Sequence, residues 1–80
     1  MVTAENITRV GEKILLDVLL EDSKTPIKMM FDVNKSEFEP FSFPNGYEYC
    51  TEHIAKLKRF LNNVIKNNEK LPKTKTIAWY

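Results

Sequence analysis

The stretch KILLDVLL, residues 13–20, decides the fold because apolar side chains recur at every second position. The side chains of one parity point to a single face of an extended chain; they are Ile14, Leu16, Val18 and Leu20. The opposite face is only half apolar. Gly11 lies just before this stretch, and glycine supplies the positive φ that a tight hairpin often needs. We therefore predict a central strand at residues 13–20, joined by a hairpin to a strand at residues 5–10.

Two further strand patterns follow a turn at residues 21–26. In residues 27–33 the inward positions alternate regularly; they are Ile27, Met29, Phe31 and Val33. Residues 37–43 predict a fourth strand, in which the alternation slips at Pro40. Since proline has no backbone N–H to donate, a bulge in an edge strand explains both the slip and the proline.

The periodicity becomes helical after Gly46. Asn45, followed three residues later by Glu48, matches a helix capping box, which predicts that the helix begins there. Apolar residues then recur at spacings of three and four; they are Tyr47, Cys50, Ile54, Leu57, Leu61 and Val64. The pattern extends to about Asn68, so it predicts an amphipathic helix of roughly 22 residues, about 33 Å long.

The last segment, residues 74–80, favours β structure and predicts a fifth strand beside the first. If the first four strands form a meander, the helix returns over the sheet and the fifth strand is antiparallel to the first. The sheet order is then 4-3-2-1-5. We predict one α+β domain over residues 1–80: an antiparallel β-meander of four to five strands with one long amphipathic helix packed across one face, in the order ββββαβ.

Composition restricts the classes of function. One cysteine, Cys50, excludes an internal disulfide, and with one histidine besides it a four-ligand Cys/His zinc site within one chain is excluded. No apolar stretch approaches the ~20 residues that cross a bilayer, and no signal-peptide pattern is visible. We expect a cytoplasmic protein without a cofactor or membrane contact, and the abundance of Lys and Asn suggests a bacterial or phage origin.

Cys50 and His53 are the one pair in the sequence that resembles reactive chemistry, since residues spaced i, i+3 on a helix are neighbours. Buried cysteines usually pack as small hydrophobic residues. We therefore favour a core cysteine and an edge histidine over a metal site shared between subunits or a catalytic pair. Paired carboxylates, Gly-rich phosphate loops and Ser/His/Asp arrangements are missing from the sequence. We expect no enzyme activity and no catalytic, metal-binding or cofactor-binding residues.

Five aromatic residues crowd the predicted junction between the fourth strand and the helix; they are Phe38, Phe41, Phe43, Tyr47 and Tyr49. Three interpretations are open: a lid on the core, a surface for a partner protein, or a platform that stacks nucleic-acid bases. Our leading hypothesis is that the chain is a small non-enzymatic protein-interaction module, whose partner is another protein or, in a homodimer, a second copy of the chain. It would use this aromatic junction or an exposed sheet edge.

The predicted helix also carries a row of cations at spacings typical of one face. They are Lys56, Arg59, Lys66 and Lys70, with Asn63 in the same row. Residues 1–50 hold five basic and nine acidic residues, whereas residues 51–80 hold seven basic and two acidic residues.

Such a row can contact the phosphates of a nucleic acid without reading its sequence, or it can be a solvated outer face favoured by the helix dipole. Our alternative hypothesis is therefore a weak, sequence-independent nucleic-acid binder. Whether the acidic half of the chain neutralises these cations decides between the two interpretations.

Overall fold

The computed structural model describes residues 1–79, which form five strands and one helix. The elements are β1 Val2–Val10, β2 Lys13–Leu20, β3 Ile27–Asp32, β4 Glu37–Phe38, α1 Thr51–Lys66 and β5 Lys75–Ile77. All neighbouring strands are antiparallel, in the order β4-β3-β2-β1-β5. The predicted α+β meander, its element order and its sheet order are confirmed. Tyr80, the last residue of the predicted fifth strand, lies outside the described residues.

β2 lies at the centre of the sheet, as its alternation predicts. One parity is buried, at no more than 3% exposure; its residues are Ile14, Leu16, Val18 and Leu20. The other parity is more open, and Leu15 is 38% exposed. The hairpin to β1 has Gly11 at φ +61°, in the left-handed region that glycine adopts without strain.

β1 contains a bulge that the sequence pattern does not show. The pairing with β2 shifts between Glu5 and Thr8, which leaves one extra residue in β1. Asn6 adopts φ +53° there, and its side-chain amide donates to the Asp17 carboxylate at 2.9 Å. The bulge also turns Ile7 into the core, and the Ile7 N–H donates to the Lys73 carbonyl at 3.0 Å. β1 begins at Val2, earlier than predicted, where it pairs with β5.

β4 is much shorter than the predicted strand at residues 37–43. The Glu39 N–H still donates to the Met30 carbonyl at 2.8 Å. Pro40 follows and has no N–H, so the ladder with β3 ends instead of continuing past a bulge. The chain then runs as a loop to the helix.

α1 begins at Thr51, so the predicted capping box at Asn45 and Glu48 is wrong. Gly46 takes φ +87°, and its N–H donates to the Glu48 carboxylate, which is therefore not available as a helix cap. Turns through Tyr47 and Cys50 come before the helix. The 16 residues of α1 span about 24 Å, shorter than predicted.

α1 covers one face of the sheet and closes the core. Its predicted seam is buried; it consists of Cys50, Ile54, Leu57, Leu61 and Val64. All of them except Val64 belong to one core cluster with the buried parity of β2, Val2 and Ala4 of β1, and Met29 and Phe31 of β3. The second face of the sheet carries no helix within the described residues, so the domain has two layers.

Candidate functional site

The aromatic junction mostly completes the core. Phe38, Phe41, Phe43 and Tyr47 are half-buried and pack against it. The rings of Phe31, Phe38, Phe41 and Phe43 form a chain of edge-to-face contacts with centroid distances of 5.1, 6.4 and 5.2 Å. Edge-to-face pairs of this kind stabilise a fold beyond the area that they bury.

Tyr49 is the member of the junction that remains accessible, with 65% exposure. Its ring stacks on Tyr47 at a centroid distance of 6.3 Å. The Tyr47 hydroxyl donates to the Asp22 carboxylate at 2.9 Å, and this hydrogen bond raises the pKa of Tyr47. The use of the junction as a partner surface stays a prediction, and it rests mainly on Tyr49.

Cys50 and His53 are close in sequence but make different contacts. Cys50 is fully buried, and burial raises the pKa of its thiol, which disfavours the reactive thiolate. His53 is 7% exposed, so the expectation of an edge histidine is wrong. Its Nε2–H donates to the Glu21 carboxylate, 2.5 Å away, which also accepts from the Met1 α-amino group at 2.9 Å. His53 is therefore hydrogen-bonded to Glu21 and not to Cys50.

His53 lies between the Glu21 carboxylate and the Trp79 ring. The hydrogen bond from His53, followed by that from the Met1 amino group, lowers the pKa of Glu21. The imidazole meets the Trp79 ring edge-on at 4.8 Å. Residues 1–79 contain no group of three or more His, Cys, Asp or Glu side chains that could hold a metal ion.

A surface that the sequence reasoning missed lies on the sheet face opposite α1. We call it the open face; its centre consists of Thr8 and four apolar residues, Val10, Leu15, Met30 and Pro40. Leu15 lies directly opposite Thr8 on β1 and Met30 on β3. An open depression of about 580 Å³ lies over this row. The sequence signal for this surface was the second parity of β2, which is half apolar.

Ion pairs lie at both ends of the open face. At one end, the Lys13 ammonium donates to Asp32 at 2.9 Å and also pairs with Glu39. These contacts, Glu39 first, raise the pKa of Lys13, and the bond from Lys13 lowers the pKa of Asp32. At the other end, the Asp17 carboxylate is 3.5 Å from Lys28. Much of the acidic half of the chain is thus neutralised within the sheet.

The predicted basic row is not neutralised by that acidic half. Arg59, Lys66 and Lys70 are exposed, and none has a carboxylate within 4.0 Å in the part of the chain that is described. Lys56 is 3.5 Å from Glu52 of the same helix, and its ammonium lies 5.0 Å above the Trp79 ring.

The helix is tied to the acidic half at two other positions. Lys58 pairs with Glu37 at 2.6 Å, and His53 pairs with Glu21. Neither belongs to the predicted phosphate-contacting set. The contact of that set with phosphate stays a prediction. Within the described residues, the charges of Arg59, Lys66 and Lys70 have no carboxylate partner, whereas Lys56 is paired with Glu52.

A groove between α1 and β5 joins part of this basic row to a strand. We call it the basic groove; it is lined by Lys56, Arg59, Phe60, Asn63, Lys75 and Ile77 and holds about 300 Å³. Lys75 of β5 places its ammonium 5.1 Å above the Phe60 ring. Lys75 and Phe60 are far apart in the sequence, and the position of β5 next to β1 brings them together.

Comparison of the chain with protein-family models, with curated proteins and with solved structures finds no significant match. Across residues 1–79, no helix has the length and apolar character required to span a bilayer. The open face and the basic groove are the two candidate contact surfaces that the structure presents.

Proposed function

We propose that the protein is a small non-enzymatic protein-interaction module that binds another protein, or a second copy of itself, through the open face. The observation that carries this proposal is the position of Val10 and Leu15, which are 60% and 38% exposed on the same face. Met30 extends the apolar row on the neighbouring strand. Exposed apolar side chains that are grouped in this way are typical of a protein contact, whereas scattered ones carry no such meaning.

The arrangement of charge around the open face supports a protein partner. Interfaces commonly have an apolar centre and a polar rim. Here the rim carries both signs of charge, with Lys13 and Asp32 at one end and Asp17 and Lys28 at the other. A second copy related by a two-fold axis can therefore place cations opposite carboxylates, as a self-complementary dimer interface requires.

The size of the open face sets the expected affinity. The three central strands have nine, eight and six residues, so they are about 26 Å long on average; lying about 4.8 Å apart, they offer a footprint of roughly 400 Å². A standard stable interface covers about 800 Å² on each partner, so we expect weak association in the micromolar range.

The other predicted contact surfaces receive less support. The two edge strands, β4 and β5, have two and three residues, and such short edges offer little backbone for pairing with another chain. The aromatic junction presents one strongly exposed ring, Tyr49. We also propose a cytoplasmic location, because the buried free thiol of Cys50 is in keeping with a reducing compartment.

Sedimentation analysis of the purified protein, from about 1 µM to about 1 mM, tests the proposal over the expected affinity range. We expect concentration-dependent dimerisation, or retention of a protein partner in a pull-down, that Leu15→Glu weakens at least about tenfold. Ala55→Glu is the matched control, since it adds the same charge to an exposed position of α1.

A strictly monomeric wild-type protein that retains no partner would overturn the proposal. An equal loss in Ala55→Glu would also overturn it, because the effect would then come from net charge and not from the open face. Circular dichroism on both variants verifies that they remain folded.

A further inference from the structure

The basic groove differs from an ordinary solvated helix face in its shape. Its cations come from two elements, with Lys56 and Arg59 on α1 and Lys75 on β5. They line a depression instead of a convex surface. A second depression, of about 400 Å³, continues past Phe60; its lining includes Lys70, Lys75 and one carboxylate residue, Glu69. A chain-like ligand could therefore lie along several cations in succession.

The charge of this region is largely uncompensated. Residues 51–79 contain seven basic side chains and two carboxylates, Glu52 and Glu69. Glu52 pairs with Lys56, and Lys58 is paired outside the groove with Glu37. The Arg59 guanidinium and the Lys75 ammonium have no carboxylate within 4.0 Å in residues 1–79. The groove therefore attracts a ligand with several negative charges.

The wall of the basic groove includes an aromatic ring. Phe60 is half-buried, so its position is fixed by the core while part of the ring faces the groove. The Lys75 ammonium lies over this ring, at a distance where a cation is attracted to an aromatic face. Fixed rings beside cations are the arrangement on which single-stranded nucleic acids bind, since every base has a face that can stack.

We propose that the basic groove binds single-stranded nucleic acid without sequence preference. Arg59, Lys75 and Lys70 contact successive phosphates. The Lys75 ammonium leaves the Phe60 ring for its phosphate, and one base stacks on the ring face that it vacates. A duplex keeps its bases stacked inside the helix, so it cannot offer a base to this ring. An acidic protein would satisfy the cations but leave the ring without its partner. The groove shares no residue with the open face, so this site is separate from the protein contact proposed above.

The proposed site predicts a defined dependence on salt. Three to four phosphate contacts on a single strand give a slope of about −2 to −3 in log affinity against log salt, so affinity should fall roughly 20- to 50-fold between 50 and 200 mM salt. Fluorescence anisotropy with a labelled thymidine oligonucleotide of about 12 nucleotides, a length within the range of small single-strand sites, measures this directly.

Two sets of variants separate the groove from overall charge. Arg59→Glu combined with Lys75→Glu should weaken binding by at least about tenfold. Lys24→Glu combined with Lys35→Glu changes the net charge equally, at exposed positions of the acidic half, and should change the affinity by no more than about twofold. Leu15→Glu on the open face should act like this control pair.

Phe60→Leu tests the stacking contact, because leucine keeps an apolar side chain in the wall without an aromatic face. We expect roughly a fivefold loss of affinity for the oligonucleotide. Circular dichroism and a thermal melt verify that the variant is folded.

Four results would overturn the proposal. The first is no binding in 50 mM salt, and the second is an equal loss in the Lys24/Lys35 pair. The third is unchanged affinity in a folded Phe60→Leu protein. The fourth is equal or tighter binding of a duplex of the same length or of polyglutamate, which would assign the groove to another polyanion.

Discussion

The two faces of the sheet are built by the same strands but carry different side chains. Beneath α1, consecutive inward positions are apolar and nearly inaccessible, as Leu16 and Phe31 are. On the open face, Leu15 and Met30 alternate with ion pairs such as Lys13–Asp32. The comparison indicates that the covered face supplies the stability of the domain, whereas the apolar residues of the open face are not needed to close a core and remain available for binding.

The charged groups show a related contrast between the two layers. Carboxylates of the sheet lie in short contacts with lysines of the same sheet, as Asp32 does with Lys13. The outer side of α1 instead has cations with few carboxylates nearby. Charges that are already paired contribute to a fixed surface, while unpaired charges of one sign can attract a charged ligand. The open face and the basic groove therefore differ in charge pairing, which is why we propose different partners for them.

The largest expected difference between the two faces comes from adjacent residues of β2. Leu16→Ala removes a side chain that is 3% exposed, and we expect it to reduce the free energy of unfolding by roughly 2–5 kcal/mol. Leu15→Ala removes the same atoms from the open face and should cost less than about 1 kcal/mol. Urea denaturation followed by circular dichroism measures both values. Since a domain of this size has a stability of only a few kcal/mol, Leu16→Ala should retain only a small part of the wild-type stability.

Equal costs for the two substitutions would contradict the assignment of the faces. Leu57→Ala on α1 serves as a second measurement, because Leu57 is 1% exposed and packs from the other layer. It should resemble Leu16→Ala.

The contrast between the faces could be predicted from the sequence where one physical rule acts alone. In β2 a period of two places every second residue under the helix, and the Cys50-to-Val64 seam follows from the helical period in the same way. Both patterns arise from the burial of apolar side chains, and the same burial stabilises β2 and α1. The sheet order follows from short antiparallel connections and the return of the helix.

Features that depend on local backbone geometry could not be predicted in this way. The predicted start of the helix is wrong because Gly46 has a positive φ, which allows a turn where the capping pattern predicts the first helical residues. The bulge at Asn6 is accompanied by a hydrogen bond to Asp17, eleven residues away, which the local strand pattern does not express. The basic groove requires Phe60 and Lys75 to be neighbours, which no spacing along the chain expresses.

The ion pairs of the two faces predict a smaller, pH-dependent effect. The pKa of Asp32 is lowered by Lys13, and that of Glu21 is lowered by His53. The unfolded chain therefore binds these protons more readily than the folded chain does. The two carboxylates therefore contribute to the stability of the fold at pH values above their ordinary pKa values, 3.8 for Asp32 and 4.5 for Glu21. This contribution is lost as the pH falls through their lower pKa values in the folded chain. We expect the unfolding free energy to decrease below about pH 4.

Asp32→Asn isolates the contribution of the open face. The variant should be less stable than the wild-type protein at pH 7, and the two stability curves should converge as the pH falls below 3.8. Glu69→Gln is the control, because Glu69 is exposed with no cation within 4.0 Å in residues 1–79, and it should follow the wild-type curve. Parallel curves for Asp32→Asn and the wild-type protein would show that the Lys13–Asp32 pair does not contribute to acid sensitivity.

The smallest effect on stability is expected at the aromatic junction, where a half-buried side chain, Tyr47, and an exposed one, Tyr49, lie two residues apart. Tyr49 is 65% exposed, so Tyr49→Ser should change the unfolding free energy by less than about 0.5 kcal/mol in thermal or urea denaturation. Tyr47 is half-buried and donates to Asp22, so Tyr47→Ser should cost more, by about 1 kcal/mol or above. If Tyr49→Ser were the more damaging change, the ring would belong to the core. If it were harmless to stability but weakened a protein complex, the junction would act as a contact surface beside the open face.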